Sequence, residues 1–390
     1  MKCTIADIAD LIAGFAFKSK DFGVNYPDRV IKIAHITPPI VEMDNLSSVD
    51  LSHYDRCKLR KYIVHPGDFV FAMTGATIGK IGRVEHGEAY INQRVLLFKP
   101  HSCVDKDYLY YQLLRHDFYQ YVINHIDSES AQPNISATTI GKYEIDLPKL
   151  DIQKPIGRLL RSLDERIETN RQINDNLQEQ MESLYKAWFK DFAPFNGECP
   201  ANWEKADIYS IANIIYGAPF SSKLFNTDGD GLPIIRIRDL REQAFVTYTT
   251  EQPPKGHLIQ PGDIVVGMDG EFRPYIWGNT EAWLNQRVCI FENKRPKGKA
   301  FVLYTIKPLL YQIEQTQVAT TVIHIGKKDY DAFEFYLPDD DTLDQFDEIT
   351  CPMIDQIVVN CLENKRLAAL RDTLLPKLMS GELDVSDIDL

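Results

Sequence analysis

Three kinds of motif in this chain carry residue types that could do chemistry, and none makes a full catalytic signature. Gly75-Ala76-Thr77-Ile78-Gly79-Lys80-Ile81 resembles a phosphate-cradling loop. It is one residue short of the G-x-x-x-x-G-K-[ST] pattern and ends in isoleucine. Asp263 with Glu292, Asn293 and Lys294 offers the two acids and one lysine of a nuclease constellation. Thr37-Pro38-Pro39-Ile40 and Gln252-Pro253-Pro254-Lys255 lack the Asp/Asn-Pro-Pro-Tyr/Phe form that amino-methyltransferases use, and no glycine-rich cofactor loop accompanies them. The nine histidines fall in no metal-ligand spacing, and the seven cysteines form no C-x-x-C pair. No catalytic residue, metal site or cofactor of its own is expected.

A second set of residues suits binding instead. Lys18, Ser19 and Lys20, and again Ser221, Ser222 and Lys223, follow a glycine turn and could grip phosphate oxygens; a solvated loop is the plain alternative. Asn92-Gln93-Arg94 and Asn285-Gln286-Arg287 put amide and guanidinium groups where a strand would carry β-branched residues. Asparagine can pair in two-pronged fashion with adenine and arginine with guanine. Because the two triplets are identical, a shared structural network is the favoured reading of them: identical residues would read identical bases. Loops that differ are better reading candidates. Thr74, Thr77 and Lys80 stand against Arg273, and Gln132, Asn134 and Ser136 stand against Thr320, Thr321 and His324.

These candidates come in pairs because the chain is written twice. Gly14-Phe15-Ala16-Phe17-Lys18-Ser19 returns as Gly217-Ala218-Pro219-Phe220-Ser221-Ser222, Pro66-Gly67-Asp68 as Pro261-Gly262-Asp263, and Leu147-Pro148 as Leu337-Pro338. The order is kept, and a period this long describes whole domains rather than solenoid units. The copies also diverge: the second has Gly270-Glu271-Phe272-Arg273 in the region of Gly79-Lys80, and the first has Lys99 where Glu292 falls. Short strands around 62–72 and 89–98, with a helix at 108–114, return as strands around 258–266 and 282–291 with a helix near 300–314.

A long helical pattern follows each copy. Leu160, Leu163, Ile167, Asn170, Asn174, Leu177, Met181, Leu184 and Trp188 alternate spacings of three and four, which is a heptad seam. The second seam runs Met353, Ile357, Asn360, Asn364, Leu367, Arg371, Leu374 and Leu378. Buried asparagine needs a polar partner across a seam and so fixes register. An antiparallel pairing would bring Asn170 or Asn174 to Asn360 or Asn364. Tyr185, Trp188, Phe189 and Phe192 form an aromatic cluster that suits a partner surface, or packing against the neighbouring domain.

The expected fold is therefore α+β: two similar mixed α/β domains and two long helices packed as an antiparallel coiled coil, with pseudo-two-fold symmetry. The expected segments are 1–150, a helix over 151–195, the second domain over 196–338, a helix over 339–381, and an acidic tail over 382–390. The net charge is −13, but residues 339–390 alone hold 13 acids against four bases, so the repeated domains are near neutral. Phosphate contacts alone would not hold DNA strongly, and a partner would supply part of a positive clamp. No apolar run approaches the roughly 18 residues of a membrane span. The start Met1-Lys2-Cys3 is no signal peptide. A cytoplasmic setting without membrane contact is expected.

Taken together, Gly14 to Ser19, Pro66-Gly67-Asp68, Asn92-Gln93, Leu147-Pro148 with Gln153 and Ile156, Trp188-Phe189-Lys190-Asp191-Phe192 and Leu374 to Gly381 resemble the specificity subunits of type I restriction–modification systems. The resemblance covers almost the whole chain. It implies that each domain is a target-recognition domain for one half of a bipartite double-stranded DNA sequence. It implies helices that set the unread gap and dock two methyltransferase subunits, which bind S-adenosylmethionine. Restriction subunits with nuclease and translocase activity, using ATP and Mg, would join that core. The rival readings are a scaffold that never touches DNA, and a stand-alone methyltransferase or nuclease.

Overall fold

The computed structural model describes residues 2–126, 133–270, 272–316 and 324–385. It divides into two compact units, Met1–Asp164 with Leu370–Leu390, and Glu165–Ala369.

The sequence repeat is a repeat of fold. In the first unit an antiparallel run of strands has the order Ala9–Ala13, Val95–Pro100, Phe69–Ala72, Ile81–Arg83, extended by two short strands at Ile40–Val41 and Ile36–Thr37. The second unit has Ala212–Tyr216, Val288–Asn293, Ile264–Gly267, Pro274–Ile276 in the same order and sense. Each unit also has a five-stranded sheet. Its parallel pair is Asp28–Ile31 with Ala89–Ile91 in one unit and Leu232–Ile235 with Ala282–Leu284 in the other. The helices Lys106–Leu113 and Lys299–Thr316 follow the matching strands, as the sequence pattern predicts.

Turn chemistry explains why those particular motifs recur. Gly14 N–H donates to the Val95 carbonyl at 2.9 Å, and Phe15 bridges Asn92 in parallel sense. A methyl group on Gly14 would lie 2.2 Å from the Asn92 carbonyl oxygen, so no side chain fits. Gly217 repeats the crossing: Ala218 bridges Asn285, and a methyl group on Gly217 would lie only 2.1 Å from the Asn285 carbonyl oxygen. Gly67 and Gly262 adopt φ of 82° and 87°, the left-handed turn that glycine tolerates without cost. The following aspartates close those turns: Asp68 accepts from His65 N–H at 3.0 Å and Asp263 from Gln260 N–H at 2.7 Å.

Each unit has its own core. Phe69, Phe71, Leu96 and Phe98 pack on Tyr108 and Leu109 in the first, and Leu378, Met379 and Val385 from the far end of the sequence join them. Ile264, Val266 and Phe291 pack on Phe301 and Ile306 in the second. Full burial of one such side chain stabilises by about 1.5–3 kcal/mol.

The long helices run over Leu150–Phe189 and Asp340–Ser380. Gln153, fully buried, anchors the start of the first: its side chain donates to the Pro148 and Cys103 carbonyls and accepts from Asp105 N–H. Asp339 caps the second by accepting from Thr342 N–H at 2.8 Å. That helix ends at Gly381, φ 76°, as helix C-termini favour.

Within the second unit the helices meet through the asparagines. Asn170 donates to Asn364 at 2.9 Å and to Glu363 at 2.7 Å, and Asn360 donates to Asn174 at 2.8 Å. The first helix rises from 170 to 174 as the second falls from 364 to 360, so they run antiparallel there. Arg166 adds a two-pronged pair with Glu363. Within the first unit Asp164 accepts from Arg371 at 2.7 Å and from the Tyr111 hydroxyl at 2.5 Å. An arginine in an apolar seam is thereby satisfied.

The aromatic cluster corrects one expectation. Tyr185 and Phe189 are core residues of the second unit, not a partner surface. Tyr185 packs on Phe301, Tyr304 and Phe346, and Phe189 packs on Trp203, Phe301 and Phe346. Trp188 and Phe192 are half-buried against that core. The burial of these large rings is worth more inside the unit than exposure would leave available for a partner.

Two outcomes follow for stability. Gly14→Ala should cost about 2–3 kcal/mol, read as a fall in melting temperature, whereas Gly326→Ala, in open space and on extended backbone, should cost far less. Asn360→Ala strands the Asn174 and Gln356 amides and should cost about 1–3 kcal/mol. The double change N174L/N360L should recover most of that loss, measured by urea denaturation.

Candidate nucleic-acid interface

The structure first removes the chemistry that the motifs suggested. Gly75–Thr77 is a single turn between two antiparallel strands, Phe69–Ala72 and Ile81–Arg83. A phosphate loop needs a helix N-terminus behind it, and here a strand follows. The Asp263 constellation is not assembled either: Asp263 closes its own turn, Glu292 accepts from Asn213, and Lys294 donates to the Tyr209 carbonyl. Among the described residues no three His, Cys, Asp or Glu are grouped to hold a metal ion.

What the fold does assemble is the same small cluster twice. In the first unit Met73 N–H donates to the Arg94 carbonyl and Ile135 N–H donates to the Met73 carbonyl, both at 3.0 Å. This pins Thr74 beside Asn134, and Arg94 donates to the Asn134 side-chain oxygen at 3.2 Å. In the second unit Met268 N–H donates to the Arg287 carbonyl at 2.9 Å and Ile325 N–H donates to the Met268 carbonyl at 3.0 Å. Here Asp269 bridges His324, and Arg287 lies over both. The backbone frame and the arginine are shared, and the other two side chains differ.

The remaining candidates separate by environment. Asn92 and Asn285 belong to the glycine crossing: Val95 N–H and Val288 N–H donate to their carbonyls, and Asn92 Oδ1 accepts from Gln93 N–H. Both side chains are half-buried. Thr74 is buried, so its side chain does not reach a ligand. Ser136 accepts from Thr139 N–H at 3.0 Å and caps the helix Ala137–Gly141, which occupies its hydroxyl. Arg273 pairs with Glu314 at 3.2 Å and sits over the Tyr311 ring. Lys80 is exposed and Thr77 half-buried on the same turn. Lys18, Ser19 and Lys20 are exposed on one short turn and Ser221, Ser222 and Lys223 on its counterpart. Gln132, Thr320 and Thr321 lie outside the described residues.

Asp269 escapes a reading of the sequence alone. Its signal is the position after a methionine that both copies share, Met73-Thr74 against Met268-Asp269. Only strand pairing across 55 residues brings it to His324.

The turn aspartates behind the clusters have opposite electrostatics. Burial pushes the Asp68 carboxyl up, but Lys106 at 2.8 Å, Lys99 at 2.6 Å and the His65 N–H outweigh it and hold the carboxyl below its ordinary value. For Asp263 burial wins over the Gln260 N–H and Lys299, and its carboxyl is raised. A glutamate, Glu292, stands where Lys99 does.

The two units share one mixed fold and repeat one cluster of polar side chains. The chain belongs to the type I restriction–modification DNA specificity family: the family model matches residues 1–179 and 200–364. It is 38% identical over 128 residues to the EcoBI specificity subunit of Escherichia coli, a match confined to 33% of this chain and 27% of that one. The MjaX putative specificity subunit of Methanocaldococcus jannaschii is 23% identical, covering 98% of this chain and 93% of its own. The S subunit from M. genitalium shares the fold, with a TM-score of 0.58 and 16% identity over 97% of this chain and 95% of that one. The chain is thus a non-catalytic DNA-recognition subunit. Among the described residues no helix is long and apolar enough to cross a membrane.

A pH test separates the two aspartates. A depressed carboxyl contributes stability that is full above its unfolded value, about 3.9, and is lost as pH falls through the folded value. The deficit of Asp68→Asn should therefore be largest near neutral pH and shrink below about pH 4. Asp263→Asn, which removes a carboxylate that burial disfavours, should be neutral or stabilising at pH 7. Urea denaturation across pH 3–8 checks both.

Proposed function

We propose that each repeated domain, 1–150 and 196–338, reads one half of a bipartite, asymmetric duplex DNA target. The long helices, taken as 151–195 and 339–381, set the unread gap and dock two methyltransferase subunits. The observation that carries this reading is the doubled cluster: one backbone frame and one arginine, with unlike neighbours in the two copies. A frame kept constant while its side chains change is what two readers of different sequences require. In this reading Lys18, Lys20, Lys80 and Lys223 position phosphates, and Arg94, Asn134, Arg287 and His324 meet base edges.

Near-neutral domains suit a subunit that grips DNA jointly with partners. S-adenosylmethionine belongs in this reading to the methyltransferase, and ATP and Mg to restriction subunits that cut and translocate. The assembly works in the cytoplasm, where the duplex is.

The asparagine layers make the gap testable. Seven extra residues in each helix, placed to keep Asn170 with Asn364 and Asn174 with Asn360, add about 10 Å. That should lengthen the gap by roughly three base pairs and leave both half-sites intact. A methylome of a host carrying this chain with its methyltransferase reads the outcome. An unchanged motif would remove the spacer role, and a chain exchanged over residues 1–150 that kept the host motif would favour the scaffold reading.

A further inference from the structure

The geometry points to Asp269 as the base-discriminating acceptor of the second domain, matched to an exocyclic amino group in the major groove. The inference rests on the two-reader function above and assigns one of its contacts. The second cluster holds a carboxylate where the first holds buried Thr74. Asp269 Oδ1 lies 2.6 Å from His324 Nδ1, and its Oδ2 lies 3.5 Å from Arg287 Nε. Arginine has no lone pair to offer, so Asp269 is the acceptor on which both neighbours converge. All three side chains keep exposed surface: 23% for Asp269, 50% for Arg287 and 47% for His324.

The chemistry of a duplex narrows what such a carboxylate can face. Phosphate oxygens only accept hydrogen bonds and repel an acid. In the major groove the donors are the N6 amine of adenine and the N4 amine of cytosine, and carboxylates accept from the latter in known pairing geometry. Every base pair carries one such amine, so an exposed acid on a DNA-reading face selects by where in the groove the amine lies and rejects a pair that sets an acceptor opposite it. Arg287 beside it suits the N7 and O6 acceptors of a neighbouring guanine. The first cluster, with Arg94 and Asn134 and no acid, has the opposite bias toward acceptors. The shared arginines then read similar edges, and the acid makes the two half-sites differ.

The test compares wild type with D269N, in a methylome of a host carrying the full chain and its methyltransferase. Competition binding of the purified complex to duplexes that vary each base pair of the second half-site accompanies it. The amide can donate as well as accept. Preference at one base pair should relax by about ten-fold or more, with the first half-site and the gap unchanged, and the duplex set tells cytosine from adenine. D269E keeps the carboxylate and should keep the same base with weaker binding. An unchanged preference in D269N, an equal loss at every pair, or a new base chosen by D269E would overturn the assignment; the equal loss would make Asp269 a brace for Arg287. A wild-type complex that returns no bipartite motif would instead sink the two-reader function itself.

Discussion

One backbone crossing holds each domain together. The chain passes so close to itself at Gly14 and Asn92, and again at Gly217 and Asn285, that no Cβ fits between them. The crossing fixes where the Asn-Gln-Arg turn leaves the sheet. The arginine that follows is then set by strand pairing rather than by a flexible loop. From that point outward the two copies are free to differ, because the frame depends on carbonyl and amide groups that every residue carries.

The same division between frame and variable edge appears in the electrostatics. Both copies use an aspartate to close the turn after Gly67 or Gly262, yet only the first surrounds it with two lysines. With Glu292 in place of Lys99 the turn stays intact and the carboxyl responds with the opposite sign. Local backbone geometry tolerates such drift as long as the N–H of the preceding turn is satisfied. The asparagine layer between the helices tolerates less, because each amide is the other's partner and a one-turn slip would strand both.

Much of this architecture is legible in the sequence because it rests on local signals. The turn glycines, the three-and-four spacing of the seams and the matched asparagines are each visible within a few residues. The aromatic cluster is not, since a ring that faces a core and one that faces a partner look alike in one dimension. Thr74 and Ser136 mislead for a related reason: their polarity suggests contact, and burial or helix capping absorbs it. The Ser136 cap has a local sign, a serine directly before a short run that begins a helix. Asp269 has almost none, because what singles it out is a neighbour 55 residues away.

The first domain is also closed by residues made long after it. Leu378, Met379 and Val385 sit in the core that Phe71, Tyr108 and Leu160 define. During synthesis the ribosome must complete the entire second unit before it delivers them. The earlier domain therefore waits with part of its interior open to water, for some tens of seconds at typical elongation rates of about 5–20 residues per second. Chaperone occupancy on nascent chains should consequently be borne by the half that emerges first.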